Sequence, residues 1–297
     1  MLVPRGARDN KIARSGWRFR VKAEMVARRG IASTPLSAYA MGMPVTASLL
    51  ALGLAGLGIG LAASLTGLGG GFLIVPLLLW RGASPQGAVG TSFVAIALIS
   101  LSALSSHARL AHVDRRVGLL LGIGGALVAQ LGARLLLLLP AASFRPLFAL
   151  LLLGLAFKLA SASADPKPRD REQRASVVGP LRHLGFVALG VGVGTLASLT
   201  GLGGGFLMVP LAMALGLSVA EAVGTSFLAI VIIAVSATVA HAHLAAVDWP
   251  VGLALGVGGM VGAQGGAHLL RRISTRRFRQ VFALLLCALA LRMGLGA

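Results

Sequence analysis

Acidic residues are scarce. Eight Asp and Glu stand against 27 Lys and Arg, and Asp9, Glu24, Asp114, Asp165, Asp170, Glu172, Glu221 and Asp248 all lie in tails, in a polar linker or at the ends of apolar segments. Cation and proton pumps usually depend on a carboxylate buried within a span, so a carboxylate-driven cycle is disfavoured. Cysteine is almost missing: Cys287 stands alone, which excludes an intramolecular disulfide and leaves the redox compartment unread. Aromatics make up 5% of the chain. A nucleic-acid binder with a net charge of +19 would need a soluble basic face carrying stacking aromatics, so nucleic acid is set aside as a partner. Charged residues are only 12% of the total and hydrophobic ones 57%. Soluble domains run near 25% charged and about 45–50% apolar, so the surface here must be covered by lipid. The first long apolar run begins near Met43, too late for a secretory signal peptide. The Arg-rich start is read as a cytosolic tail or as a start placed too early.

What is present is a repetition. Ser64-Leu-Thr-Gly-Leu-Gly-Gly-Gly-Phe-Leu73 recurs unchanged from Ser198 to Leu207, an offset of 134 positions. The same offset carries Pro76 to Pro210, Gly90-Thr-Ser-Phe93 to Gly224-Thr-Ser-Phe227, His107 to His241, Asp114 to Asp248 and Gln130 to Gln264. Roughly 30 of the 51 positions from Ser64 to Asp114 are identical without a gap, which marks duplication. Each copy divides into five apolar pieces, near 44–63, 72–80, 88–110, 117–139 and 143–160, then 183–197, 206–217, 222–244, 250–270 and 278–295. The second piece of each copy is about half a span at about 1.5 Å per residue. The expected fold is therefore an all-α polytopic membrane protein of two homologous repeats, each with about four transmembrane helices and one short broken or re-entrant helix. Residues 1–43 form a basic tail, 44–160 the first repeat, 161–182 a polar basic linker and 183–297 the second repeat. With tail and linker both cytoplasmic, each repeat crosses an even number of times. The cluster Arg271, Arg272, Arg276, Arg277 and Arg279 then falls outside, against the positive-inside rule, and an odd count with inverted repeats would remove that conflict.

The glycine stretches Thr66 to Gly71 and Thr200 to Gly205 interrupt apolar runs. Each glycine disfavours helix by about 1 kcal/mol relative to Ala. Within a bilayer a broken helix is tolerated only where protein or a water-filled cavity receives the freed backbone groups. New helix N-termini are expected at Phe72 and Phe206, and free N–H groups there suit an anion. Transporters built from repeats place such half-helix ends at a central substrate site. The candidate substrate-binding residues are accordingly Ser64, Thr66, Gly69, Gly70 and Gly71 in the first copy, and Ser198, Thr200, Gly203, Gly204 and Gly205 in the second. Close helix packing is the competing role for glycine, favoured for Gly53, Gly56, Gly58, Gly122, Gly124 and Gly125.

Thr91, Ser92, Thr225 and Ser226 either line the pathway or bond to their own or a neighbouring helix. Gln130 and Gln264 sit where a lone amide is costly unless bonded, by substrate or by a facing helix. His107 and His241 are the candidates for proton coupling, against a bland role marking the end of the third piece. Asp114 and Asp248 are expected to cap the following helices. Arg134 aligns with His268, and both either lend positive potential to an anion path or snorkel to the interface. No catalytic constellation occurs, and neither a cofactor nor a metal is expected: His241-Ala-His243 has Arg109 in place of its second histidine in the first copy. No dinucleotide site fits the glycines, because neither strand nor acid stands at the required distance.

The duplicated Ser-Leu-Thr-Gly-Leu-Gly-Gly-Gly-Phe-Leu, followed by Val-Pro and Ala-Val-Gly-Thr-Ser-Phe, resembles the TauE/SafE sulfite exporter family of the toluene sulfonate uptake permease superfamily. The resemblance covers about residues 45–295. It implies a bacterial-type inner-membrane permease of seven to nine helices that moves sulfite or other sulfur-containing or organic anions without ATP. The expected partners are the lipid bilayer and a small anionic substrate, and access would alternate as the two copies move. A membrane-bound enzyme and a non-transporting assembly factor or sensor are the rival readings.

Overall fold

The computed structural model describes residues 45–161, 180–214, 217–244, 246–269 and 275–294. The basic tail, most of the linker and the Arg271–Arg272 pair lie outside them, as do the side chains of Arg276, Arg277 and Arg279. Among the described residues ten helices follow one another: α1 Val45–Thr66, α2 Gly71–Trp80, α3 Pro85–Arg109, α4 Arg115–Leu138, α5 Ala141–Ser161, α6 Pro180–Thr200, α7 Gly205–Ala214, α8 Val219–His243, α9 Trp249–Leu269 and α10 Thr275–Gly294. No strand occurs among the described residues. Thr46–Thr66, Pro85–Arg109, Arg115–Leu138 and Val219–His243 are long and apolar enough to cross a membrane, and α2 is a shorter apolar helix of 10 residues.

The helix starts have local causes. Ser84 caps α3 by accepting from the Gly87 N–H, with Pro85 at the first helical position, where its missing N–H costs nothing. Ser218 and Glu221 form a reciprocal capping box at α8. Both helices therefore begin three residues before the apolar pieces at 88 and 222. Asp114 caps α4 by accepting from the Arg116 and Val117 amides. Asp248 does the same for Val251 at α9, as expected of both acids. Burial raises the Asp248 carboxyl above its ordinary value, opposed by that amide.

Packing crosses between the two halves of the chain. Helix α1 lies along α9, and α4 lies along α6; α9 also packs on α3, and α8 on both α4 and α3. Two interleaved groups result, one of α1, α2, α3 and α9, the other of α4, α6, α7 and α8, joined where α3 meets α8. Helices α5 and α10 pair with each other. Buried Phe144, Phe148, Leu152, Leu286 and Ala290 fill that pair, and Arg292 of α10 lies 4.6 Å over the Trp80 ring at the end of α2.

Small residues make the crossed pairs close. A methyl on Gly60 would overlap the Gly259 carbonyl, one on Gly262 the Leu57 carbonyl, and one on Gly124 the Val187 carbonyl. Gly53, Gly56, Gly122 and Gly125 also face neighbouring helices, in keeping with packing; Gly58 meets nothing and is exposed. Backbone proximity of this kind is how helices associate where lipid is as apolar as the side chains. The outer faces carry Leu50, Leu54, Leu127, Leu150 and Leu284, each more than two-thirds exposed, a surface suited to acyl chains rather than water.

These contacts set a contrast between two glycines two positions apart on α1. Gly60→Ala forces α1 off α9 and is expected to cost about 1–3 kcal/mol, the usual range for overpacking. Gly58→Ala gains helix propensity by roughly 0.5–1 kcal/mol. Thermal unfolding of the two purified variants in one detergent checks the opposite signs.

Candidate functional site

Both glycine stretches break their helices. Gly67 and Gly201 follow the last turns of α1 and α6 with φ of 73° and 74°, and their N–H groups donate to Ala63 and Ala197 carbonyls at 2.8 and 2.7 Å. This is the left-handed helix ending that glycine alone adopts cheaply. Gly70 then caps α2 at φ 90°, and Gly204 stands before α7 at φ 83°. The new helices start at Gly71 and Gly205, one residue ahead of the expected Phe72 and Phe206. The Gly69, Gly70 and Gly71 amides and those of Gly203, Gly204 and Gly205 meet no acceptor among the described residues. Every residue from Gly67 to Gly71 and from Gly201 to Gly205 is buried.

The two loops touch each other. A methyl on Gly71 would overlap the Gly201 carbonyl, and one on Gly205 the Gly67 carbonyl. Gly203 lies against the Leu68 carbonyl and the Gly69 Cα, and Ile96 and Ile230 cover Gly69. The arrangement sets two half-helix N-termini, each with partial positive charge, beside one another in the protein interior. Thr66 and Thr200 do not point free hydroxyls at this centre. Each donates back to its own helix, Thr66 to Ala62 at 2.9 Å and Thr200 to Leu196 at 2.7 Å, and accepts from the Leu68 or Leu202 amide. Ser198 donates to the Ala129 carbonyl at 2.6 Å, whereas buried Ser64 has no partner for its hydroxyl.

The Gly-Thr-Ser-Phe motifs clamp the opposite half. Thr91 accepts from the Asp248 amide at 2.9 Å, and Thr225 from the Asp114 amide at 2.8 Å. Ser226 donates to the Val223 carbonyl and stands 3.1 Å from the Gly67 carbonyl; Ser92 donates to Val89 and stands 3.5 Å from the Gly201 carbonyl. Phe93 stacks on His241 and Phe227 on His107, with ring centroids 5.6 Å apart in both cases. Gly90 and Gly224 have room only for hydrogen, against the Ala246 and His112 carbonyls. The four hydroxyls of these motifs are thus engaged by the protein in this conformation.

His107 and His241 are buried, with Nε2 at 3.2 Å from the Ser64 carbonyl and 3.1 Å from the Ser198 carbonyl. A carbonyl only accepts, so Nε2 carries the proton in each ring. The histidines therefore sit against the helix turns that lead into the glycine loops.

The glutamines part company. Gln264 donates to the Ser102 carbonyl and to the Ser102 and Ser105 hydroxyls, and accepts from Ser106. Gln130 is exposed on α4, where the positions matching Ser105 and Ser106 are Val239 and Ala240. Arg134 and His268 are both exposed. The serine ladder at 102, 105 and 106 was visible in the sequence at helical spacing, but its partner was not. Among the described residues no three His, Cys, Asp or Glu side chains cluster to hold a metal ion.

A family model described as sulfite exporter TauE/SafE matches residues 52–293. The chain belongs to the TauE/SafE sulfite exporter family. It is similar to a probable membrane transporter protein of Xylella fastidiosa strain 9a5c, 32% identical over 84% of this chain and 95% of that one. It is similar also to the probable membrane transporter protein YunE of Bacillus subtilis, 30% identical over 80% of this chain and 94% of the relative. A third relative, the probable membrane transporter protein MJ0441 of Methanocaldococcus jannaschii, is 30% identical over 52% of this chain. No solved structure matches. The TauE/SafE member described here is a multi-pass membrane transporter and not an enzyme.

The clamps predict a loss of stability from either side, larger at Thr91. Thr91→Val leaves the buried amide of Asp248 without its acceptor, at a cost of about 1–3 kcal/mol, and Thr225→Val leaves the half-buried amide of Asp114 without one, at a smaller cost. Thermal unfolding of the two single variants and the double variant measures it.

Proposed function

We propose that the chain is a permease for small oxyanions of the sulfite or organosulfonate class, working by secondary or facilitated transport in a bacterial-type inner membrane. The anion rests between the N-termini of α2 and α7, held by the amides of Gly69 to Gly71 and Gly203 to Gly205. The observation that carries this is the pair of touching loops, each with three buried amides lacking protein acceptors. Buried N–H groups without acceptors are costly, and an oxyanion at a helix N-terminus supplies both acceptors and matching charge. The family name supports the sulfur oxyanion class; the names of the relatives state transport without a substrate.

Two repeats with eight spans suit this function, with α2 and α7 as half-length helices that end inside the bilayer. The bodies that alternate are the interleaved groups, not the two sequence copies. Moving the copies as units would separate α1 from α9 and α4 from α6, whose backbones meet through Gly60, Gly262 and Gly124. Sliding at the α3–α8 contact instead leaves those interfaces intact. Ile96 and Ile230, which cover Gly69, are the side chains that must withdraw to admit the anion.

Proteoliposomes loaded with labelled sulfite, and separately with short alkylsulfonates, test the reading. Wild-type protein is expected to release label, and the Gly70→Val, Gly204→Val double variant to lose about tenfold or more of the rate, some 1.4 kcal/mol. Gly58→Ala serves as the control with unchanged flux. A folded double variant with wild-type flux refutes the loop assignment.

A further inference from the structure

Ser64 Oγ, Ser100 Oγ and His107 Nδ1, all in the first half, are buried without a hydrogen-bond partner among the described residues. Their residues are 0% exposed. No side-chain polar atom of the second half shares that condition among the described residues. The difference is written in the sequence around a matched scaffold. The counterpart of Ser64 is Ser198, whose hydroxyl is taken by the Ala129 carbonyl, and the counterpart of Ser100 is Ala234.

Two of these residues adjoin, and the third stands on the same helix face as His107. His107 Nε2 reaches the Ser64 carbonyl at 3.2 Å, so the histidine and the serine are in contact. Ser100 lies seven residues before His107 on α3, two turns away on the same face of the helix. Because Nε2 donates to a carbonyl, the neutral ring leaves Nδ1 as a bare acceptor. Ser64 and Ser100 each bring a hydroxyl able both to donate and to accept. A buried acceptor and two buried hydroxyls without partners are a dry and costly arrangement, and nearly all such groups in folded proteins are met by protein or by ordered water. Water fits this set, since it donates to Nδ1 and both donates to and accepts from a hydroxyl. An anion does not fit Nδ1, which offers it no proton.

We propose that ordered water is held along Ser64, His107 and Ser100, making the first half the hydrated side of the transport unit while the second half stays dry. Water there lies beside the helix turn that leads into Gly67 to Gly71, where it can replace the hydration shell of an anion arriving at the loops. This last role rests on the transport reading above; the water site itself does not.

Radiolytic hydroxyl-radical labelling of the full chain in lipid nanodiscs tests the site, because bound water is the radical source for buried side chains next to it. His107 is expected to be oxidised several-fold faster than His241. Ser64→Ala is expected to slow labelling at His107, with Ser198→Ala leaving it unchanged. Thermal unfolding gives an independent sign. Removing a hydroxyl that binds water lowers the midpoint, whereas removing a dry, unpartnered hydroxyl raises it. Equal labelling of His107 and His241 in the wild-type protein overturns the proposal, as does a Ser64→Ala or Ser100→Ala variant with a raised midpoint. Neither readout involves flux, so a failed water site and a failed transport reading are told apart.

Discussion

The carbonyls of Gly201 and Gly67 occupy the space that any side chain at residues 71 and 205 would need. This crossing of two backbones is the constraint around which the remainder is arranged. It brings the start of α2 against the end of α6, and the start of α7 against the end of α1. Each half of the chain thereby completes the other's interrupted helix. Small residues along α1 and α9, and along α4 and α6, extend the same interlock over whole helices. The Thr91 and Thr225 hydroxyls, with the stacked Phe93–His241 and Phe227–His107 pairs, fasten it at its end.

A membrane interior makes such a construction informative. Unmet backbone groups are far costlier in hydrocarbon than at a wet surface, so three successive amides without acceptors, repeated in each loop, are not a neutral consequence of packing. Glycine is needed at Gly70 because the chain turns there through positive φ, and at Gly71 because another backbone lies against it. A packing role alone would account for the second and not for the first. The result is a centre of partial positive charge with no ionised side chain among the described residues of the loops. That suits the proposed carrier, which must release an anion as well as hold it.

Much of this was legible in the sequence. The offset of 134 positions, the interruption at the glycines, the half-length second pieces and the caps at Asp114 and Asp248 follow from residue patterns and simple helix geometry. The family resemblance rested on the same motifs. Which helix packs on which was not legible, because apolar periodicity marks a buried face without naming what buries it. The crossing of α1 with α9 and α4 with α6 therefore changes the bodies expected to move. The site residues divided for a similar reason. Gln130 and Gln264 are equal in a repeat alignment, but Ser105 and Ser106 face one of them while Val239 and Ala240 stand at the matching places for the other. For the hydroxyls of Thr91, Ser92, Thr225 and Ser226 the sequence left two roles open, lining the pathway or bonding to a helix, and in the fold they meet backbone groups.

The claim that two crossed loops form one anion site is tested most directly on the amides themselves. Solid-state NMR of glycine-labelled protein in lipid, titrated with sulfite, follows the 15N resonances of Gly69 to Gly71 and Gly203 to Gly205. The account predicts that both sets shift together, with one shared midpoint. Shifts confined to one loop, or to glycines on the outer helices with both loops unmoved, would contradict it.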